Sequence, residues 1–130
     1  MAKRLYVSGP MRGYDQYNFP AFDEMCEKVR NQGDIPIGPQ ELDRLFGWDE
    51  NEEREVTRQE MINFLLRDLV IILTECDGMV VLNGWKNSTG AKAEVALAQA
   101  IGLPIYNEQL DEIEVALRAE SWLEVDDDED

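Results

Sequence analysis

The sequence predicts an α/β fold, in which one domain is built on a parallel β-sheet with helices on both faces. A chain of 130 residues is long enough for one hydrophobic core and too short for two ordinary domains. Short apolar runs alternate with longer segments whose apolar residues recur at helical spacing. The connections between these segments are short, which favours parallel strands joined by right-handed helical crossovers.

The N-terminal third predicts two strands around a helix. The run "RLYVS" (4–8) reads as a buried strand that ends at a Gly-Pro turn. In "FPAFDEMCEKVRNQG" the apolar residues are spaced as in a helix and Gly33 marks its end. The stretch "DIPIGP" predicts a short strand, and "QELDRLF" predicts a helical turn after it.

The middle of the chain predicts a longer helix over "ENEEREVTRQEMINFLLRDL". Its apolar residues form a stripe, which comprises Val56, Met61, Phe64, Leu65 and Leu69. The next stretch, "VIILTECD", fits either a helix end or a strand. We assign it to the end of the helix, because the better strand, "GMVVLN", follows directly.

The C-terminal third predicts two more helices and a strand. An alanine-rich helix over "STGAKAEVALAQAIG" ends at Gly102. The residues of this helix expected to pack on the sheet are Ala93, Ala96, Leu97, Ala100 and Ile101. The strand "LPIYN" and a last helix over "LDEIEVALRAESW" complete a domain over residues 1–123, and we expect residues 124–130 to be a disordered acidic tail.

The composition excludes several classes of function. Acidic residues outnumber basic ones 28 to 12, and a net charge of −16 repels nucleic acids. We expect neither membrane insertion nor export, because no apolar run spans a bilayer and no signal peptide is recognisable. The two cysteines are far apart, which favours a reduced, cytoplasmic setting. Histidine is absent, so catalytic triads and histidine-rich zinc sites are excluded, and a carboxylate is the expected acid, base or nucleophile.

The loop after the first strand, "SGPMRG", is the first candidate site. Ligands of parallel sheets bind beyond the carboxyl ends of the strands, where this loop lies. Gly9 and Gly13 flank a tight turn whose free N–H groups can form an anion nest, and Arg12 offers a fork for a phosphate. A plain turn with an exposed arginine explains the same stretch equally well. Aromatic residues follow that can wall a base or sugar, or equally pack on the core: Tyr14, Tyr17 and Phe19.

The segment "NGWKNSTGAKAE" (83–94) is the second candidate site. Ser88 and its neighbours are natural helix N-caps, and Gly90 lets a backbone or ligand approach the helix start closely. Glu94 lies in the first turns of this helix, but not three residues after the cap, where a capping-box glutamate would stand. An exposed glutamate that complements the helix dipole is the alternative. For Asp68, at the end of the long helix, the alternative to a site role is a surface position or a helical ion pair.

Three segments in order carry a family resemblance: "YVSGPMRG…NFPAF", "RDL…CDGMVVLNGW" and "NSTGAKAEVALAQAIGLPI". Together they resemble the nucleoside 2-deoxyribosyltransferase-like superfamily, which includes the 5'-deoxynucleotide N-hydrolases. The likeness is greatest to a short, often phage-encoded branch with a "GW…S.GA..E" segment. It runs from about residue 4 to residue 107. It implies a flavodoxin-like or Rossmann-like sheet and cleavage of the N-glycosidic bond of 2'-deoxynucleosides or their 5'-monophosphates.

The resemblance also implies roles for individual residues. Glu94 matches the family glutamate that attacks C1' of the sugar, and Asp68 matches the aspartate that orients the sugar hydroxyls or assists proton transfer. Transferases tend to have an aspartate at the position of Ser88, whereas nucleotide hydrolases have a serine near the phosphate. A serine donates a hydrogen bond to phosphate, where a carboxylate would repel it. Trp85 either stacks on the base or seals the loop.

We therefore expect a nucleoside 5'-monophosphate, bound by the N–H groups of Met11, Arg12 and Gly13, the Arg12 side chain and Ser88. The leading reading is a hydrolase that yields a nucleobase and deoxyribose 5-phosphate. Base exchange between deoxynucleosides and a non-catalytic nucleotide-binding module of the same fold are the alternatives. The mechanism needs no metal or cofactor, and the resemblance implies a homodimer or higher homo-oligomer.

Overall fold

A computed structural model of the chain, which describes residues 1–115, has the predicted α/β architecture. The strands are β1 (Arg4–Ser8), β2 (Ile35–Ile37), β3 (Gly78–Val81), β4 (Ile105–Tyr106) and β5 (Glu112–Ile113). The helices are α1 (Phe19–Asn31), α2 (Pro39–Leu45), α3 (Arg58–Glu75) and α4 (Thr89–Ala100). The sheet order β2-β1-β3-β4-β5 is the flavodoxin-like order, and β1 to β4 are parallel.

Helices cover both faces of this sheet. Successive residues of a strand point to opposite faces, so Leu5 and Val7 of β1 join one core with the buried side of α1. Tyr6 points to the other face, where it packs in the core with residues of α3 and α4. Ser8, two residues further along, lies on the same face as Tyr6 and is fully buried. The alternation in β1 therefore brings two hydroxyl groups beneath α4.

The end of the described chain corrects one prediction. Over residues 110–115 the chain is not helical, because β5 pairs antiparallel with β4, with Ile113 opposite Ile105. Asn107 causes this reversal: its Oδ1 accepts hydrogen bonds from the N–H groups of Gln109 and Asp111, each at 3.0 Å. The rest of the predicted last helix, the boundary at residue 123 and the acidic tail over 124–130 lie outside the described residues.

Helix α3 begins later than the sequence predicts and ends where it predicts. A capping box starts it, since Thr57 Oγ1 accepts from the N–H of Glu60 and the Glu60 side chain accepts from the N–H of Thr57. Val56 of the predicted stripe therefore lies before the helix. The assignment of "VIILTECD" is confirmed, because α3 continues to Glu75 and β3 starts at Gly78.

The buried face of α4 differs from the prediction by about one residue. The predicted stripe is confirmed only in part: Leu97 packs against the core and Ala96 is half-buried, whereas Ala93, Ala100 and Ile101 are exposed. The residues that pack inward are Ala91, Glu94, Val95 and Ala98, at the i, i+3, i+4, i+7 spacing of a single helix face. Glu94 therefore belongs to the face that packs on the sheet, so the alternative of an exposed glutamate does not hold.

None of the helices within residues 1–115 is both long enough and apolar enough to cross a membrane. Both cysteines are free thiols. Burial raises the pKa of Cys26 to about 11 and that of Cys76 to about 12, so neither thiol is ionised near neutral pH. Neither thiol lines the cavity described below.

Candidate active site

A cavity of about 510 Å³ opens at the carboxyl end of β1, between the loop that follows this strand, α2, α3 and the start of α4. Its ionisable or hydroxyl-bearing lining residues include Arg12, Tyr14, Asp43, Arg67, Asp68, Ser88 and Glu94. Its apolar wall is formed by Met11, Phe22, Pro39, Met61, Phe64 and Leu65. A concave site with an apolar wall and a few convergent polar groups is typical of small-molecule binding.

Glu94 is held inside this cavity by two hydroxyl groups. It is 8% exposed, and its Oε1 accepts a hydrogen bond of 2.7 Å from Ser8 Oγ while its Oε2 accepts one of 2.9 Å from Tyr6 OH. The pKa of Glu94 is raised to about 8, because burial and the negative charge of Asp68 raise it more than the two hydroxyl donors and Arg67 lower it. Both oxygens are thus fixed in orientation, and the carboxyl group exchanges a proton near neutral pH.

Asp68 and Asp43 both contact the side chain of Arg67. The Arg67 Nε and Nη2 atoms both lie 2.8 Å from Asp68 Oδ1. The same Nη2 lies 2.8 Å from Asp43 Oδ1 in an ion pair, and this oxygen has no aligned hydrogen-bond donor. The pKa of Asp68 is raised to about 6, because burial, with a smaller contribution from the charge of Asp43, outweighs the opposing effect of Arg67. Burial likewise raises the pKa of Asp43.

The turn after β1 is shaped by its glycines. A Cβ atom on Gly9 would lie 2.8 Å from Leu82 Cβ, so only glycine fits against the end of β3. Gly13 has φ +86°, a conformation that favours glycine. Within residues 1–115 the N–H groups of Met11, Arg12 and Gly13 make no hydrogen bond. The turn thus offers free donors at the cavity wall.

Arg12 stands at the rim of the cavity without an acidic partner among the described residues. Its Nη2 contacts Met61 Sδ at 2.8 Å, and thioether sulfur is only a weak acceptor. In a chain with 28 acidic residues, a guanidinium left without a carboxylate is available to an external anion.

The start of α4 forms the opposite wall. Ser88 is the N-cap, and its Oγ accepts a hydrogen bond of 3.2 Å from the N–H of Ala91. The hydroxyl proton of Ser88 remains available to a ligand. A Cβ atom on Gly90 would meet nothing within 4 Å, so protein packing does not require glycine there.

The family profile described as "Domain of unknown function (DUF4406)" matches residues 3–107. The chain belongs to the DUF4406 family. Every residue that lines the cavity lies inside the matched range, so the cavity is a feature of the DUF4406 domain itself. None of the curated proteins compared with the chain matches it.

The DUF4406 domain brings most of the predicted site residues together. Those that line the one cavity are Gly9, Met11, Arg12, Gly13, Tyr14, Asp68, Ser88, Gly90 and Glu94. They come from three separate segments, as expected for loops that meet at the carboxyl edge of a parallel sheet. Within residues 1–115, no group of three or more Cys, Asp or Glu side chains is placed to hold a metal ion.

Three predicted residues do not line this cavity, which corrects their assignment to a base or sugar wall. Tyr17 lies in a left-handed turn, with φ +55°, that directs its ring to Trp48 at 5.4 Å. Phe19 is 1% exposed, with the guanidinium of Arg44 5.1 Å from its ring centre. Trp85 is 7% exposed and belongs to the core between the sheet and α4, so it seals the loop.

Sequence reasoning missed four polar residues of the site, namely Tyr6, Ser8, Asp43 and Arg67. A signal existed for Tyr6 and Ser8, because strand alternation in "RLYVS" places both hydroxyls on one face. No signal pointed to Asp43, because its segment is 24 residues away from Arg67 in the chain and reads as an ordinary amphipathic turn.

Proposed function

We propose that the DUF4406 domain of this chain is a cytoplasmic enzyme that hydrolyses the N-glycosidic bond of 2'-deoxynucleoside 5'-monophosphates. The observation that carries the proposal is the position of Glu94. Its carboxyl group is buried in the same cavity that the glycine turn after β1 lines, with each oxygen held by a hydroxyl donor. A phosphate on the turn and an anomeric carbon at the carboxylate fit one ligand of nucleotide size.

In the proposed reaction Glu94 is the nucleophile. Its carboxylate attacks C1', the C1'–N bond breaks, and a covalent deoxyribosyl ester forms. The transition state has oxocarbenium character, which a carboxylate beside C1' stabilises. The hydroxyl donors Ser8 and Tyr6 favour the ionised form that this step requires, in opposition to burial.

Asp68 is the proposed proton donor to the leaving base. With pKa values raised to about 6 and about 8, the Asp68 and Glu94 carboxyls hold about one proton between them near neutral pH. These pKa values leave that proton mainly on Glu94, so the reactive form, with Glu94 ionised and Asp68 protonated, is the minor one and forms when the proton moves from Glu94 to Asp68. Asp68 then accepts a proton from the water that attacks C1', which releases deoxyribose 5-phosphate and restores both groups.

The proposed phosphate site combines the free N–H groups of Met11, Arg12 and Gly13 with three features around them. Arg12 supplies a cation without a carboxylate partner in the described part of the chain. The Ser88 hydroxyl and the first N–H groups of α4, at Gly90, supply donors from the opposite wall. Each of these donors suits a phosphate oxygen and none would suit a neutral 5'-hydroxyl as well.

Incubation of the protein with a panel of natural and modified deoxynucleoside 5'-monophosphates tests this function. We expect a free nucleobase and deoxyribose 5-phosphate, and no product with Glu94→Gln or Glu94→Ala. An added acceptor base that yields a new nucleoside would show base exchange instead. Binding by calorimetry without product, and with the same affinity in Glu94→Gln, would show a non-catalytic module and contradict the proposal.

We also propose a homodimer or higher homo-oligomer, supported by the outer faces of α3 and α4. Over residues 61–74 and 93–101 no exposed side chain is charged, although the chain carries a net charge of −16. Exposed apolar residues on these faces include Ile62, Leu66, Val70, Leu73 and Ile101. Two acidic chains can meet through such a face without like-charge repulsion. Sedimentation analysis should show a dimer or larger species that Leu66→Glu disrupts, and a monomeric wild-type protein would contradict this.

A further inference from the structure

The cavity contains a buried carboxylate that the proposed reaction does not use. Asp43, on α2, is 7% exposed and lines the cavity together with Asp68 and Glu94. A buried ionised side chain is costly unless it has a partner of opposite charge. Among the described residues the partner of Asp43 is Arg67. Any role of Asp43 in the cavity therefore acts through Arg67.

Arg67 is held on three sides. Its Nη2 lies 2.8 Å from Asp43 Oδ1 and 2.8 Å from Asp68 Oδ1, and its Nε lies 2.8 Å from the same Asp68 oxygen. Its guanidinium carbon lies 5.5 Å from the ring centre of Phe64, which forms part of the cavity wall. Nη2 therefore contacts carboxylates on two helices, and it cannot move towards one of them without moving away from the other.

We propose that Asp43 is a positioning residue: it holds Arg67 where Arg67 binds Asp68, and it takes up part of the charge of that cation. The inference rests on the proposed function, because that function makes Asp68 the proton donor to the leaving base. Four ionisable groups face Asp68, namely Arg67 on its own helix, Asp43 on α2, Glu94 on α4 and Tyr6 on β1. Two of them, Asp43 and Glu94, are carboxyl groups, so Asp68 takes up a proton more readily than it would beside Arg67 alone.

The charge balance predicts the effect of Asp43→Asn. This substitution keeps the shape and an acceptor oxygen, but removes the negative charge. Asp68 is then the one anion that the charge of Arg67 contacts, and a repelling neighbour of Asp68 is lost. Both changes stabilise the ionised form of Asp68, so its pKa falls below the wild-type value of about 6. Under the proposed function, kcat at neutral pH falls about 10-fold because the proton donor is depleted, with KM within about twofold of wild type.

The chain supplies a matched control away from the cavity. Arg44 also bridges two carboxylates, with Nη1 and Nη2 at 2.8 Å and 2.9 Å from Asp23 and with Nη2 2.7 Å from Glu50. None of these three residues lines the cavity. Asp23→Asn likewise removes one carboxylate from an arginine that contacts two, in a pair that is more exposed than Arg67–Asp43. It should leave the pKa of Asp68 and the pH profile of kcat unchanged.

The experiment is a titration of the Asp68 carboxyl carbon by NMR on the full chain labelled with ¹³C-aspartate, with its signal assigned through Asp68→Asn. A lower pKa in Asp43→Asn and an unchanged pKa in Asp23→Asn support the proposal. An unchanged pKa in Asp43→Asn, or the same change in both variants, overturns it. Because the titration needs no substrate, a protein that fails to turn over any nucleotide refutes the proposed function and still decides the role of Asp43.

Arg67→Lys is a second test of the proposal, which applies even if Asp43→Asn does not fold. Lysine keeps the charge but cannot span both carboxylates with a planar fork. Asp68 then loses a hydrogen bond, and its pKa should rise, opposite to the change in Asp43→Asn. An Asp68 pKa that stays at the wild-type value in Arg67→Lys contradicts the positioning of Asp68 by this cation.

Discussion

Replacement of Glu94 by glutamine should stabilise the protein while it abolishes the proposed activity. The pKa of Glu94 is raised from 4.5 in the unfolded chain to about 8 in the folded protein. The folded state therefore favours the protonated form, so wild-type stability falls as the pH rises from about 4.5 to about 8. Glutamine is neutral at every pH and is free of this loss.

The size of the effect follows from these pKa values. Between pH 4.5 and pH 7 the wild-type protein loses about 1.4 kcal/mol for each of about 2.5 pH units, or about 3 kcal/mol in all. In Glu94→Gln the amide must donate to Ser8 or Tyr6, so that one hydroxyl becomes an acceptor, which costs about 1 kcal/mol. We expect the variant to be more stable by about 2 kcal/mol at pH 7, by more at pH 8, and by about zero at pH 5.

Urea unfolding at pH 5, 7 and 8 measures this difference. Glu27→Gln, at an exposed position of α1, is the control for the loss of one charge from an acidic chain. The control should change the free energy of unfolding by a small amount that does not grow over this pH range. A stability gain in Glu94→Gln that is independent of pH, or equal to that of the control, would refute the placement of Glu94 in a buried, weakly polar site.

Three further predictions concern the proposed phosphate site. Gly9→Ala should lower the free energy of unfolding by about 1–3 kcal/mol in urea denaturation, because its Cβ would lie 2.8 Å from Leu82 Cβ; unchanged stability would contradict this close contact. Gly90→Ala should keep or raise the melting temperature, since its Cβ meets nothing within 4 Å, yet weaken nucleotide binding in calorimetry; unaltered binding would remove Gly90 from the site. Arg12→Gln should weaken binding of a deoxynucleoside 5'-monophosphate about 10-fold and leave binding of the matching nucleoside unchanged; an equal loss for both would argue against a phosphate contact.

Local patterns in the sequence were sufficient for most of the fold. The helical spacing in α1 and the Gly33 stop, the strand "GMVV" and the short connections depend on residues near one another in the chain. The prediction failed where contacts between residues far apart in the chain determine the structure. The segment after β4 has helical periodicity, yet the turn at Asn107 and the free edge of β4 make it a strand. Which residues of α4 face the sheet likewise depends on how the helix packs on it. The alanine-rich sequence of the helix does not distinguish one face from another.

The sequence by itself determined the chemical types available to this protein. It contains no histidine, so carboxylates remain as the acid and base, and its first strand ends in a glycine turn that can bind an anion. Only the tertiary structure decided which carboxylates meet: Glu94 turns inward onto Tyr6 and Ser8, and Asp43 shares Arg67 with Asp68. The reason is physical, because pairing and burial of charged groups depend on contacts between residues far apart in the chain. Secondary-structure propensity depends on neighbouring residues and does not predict such contacts.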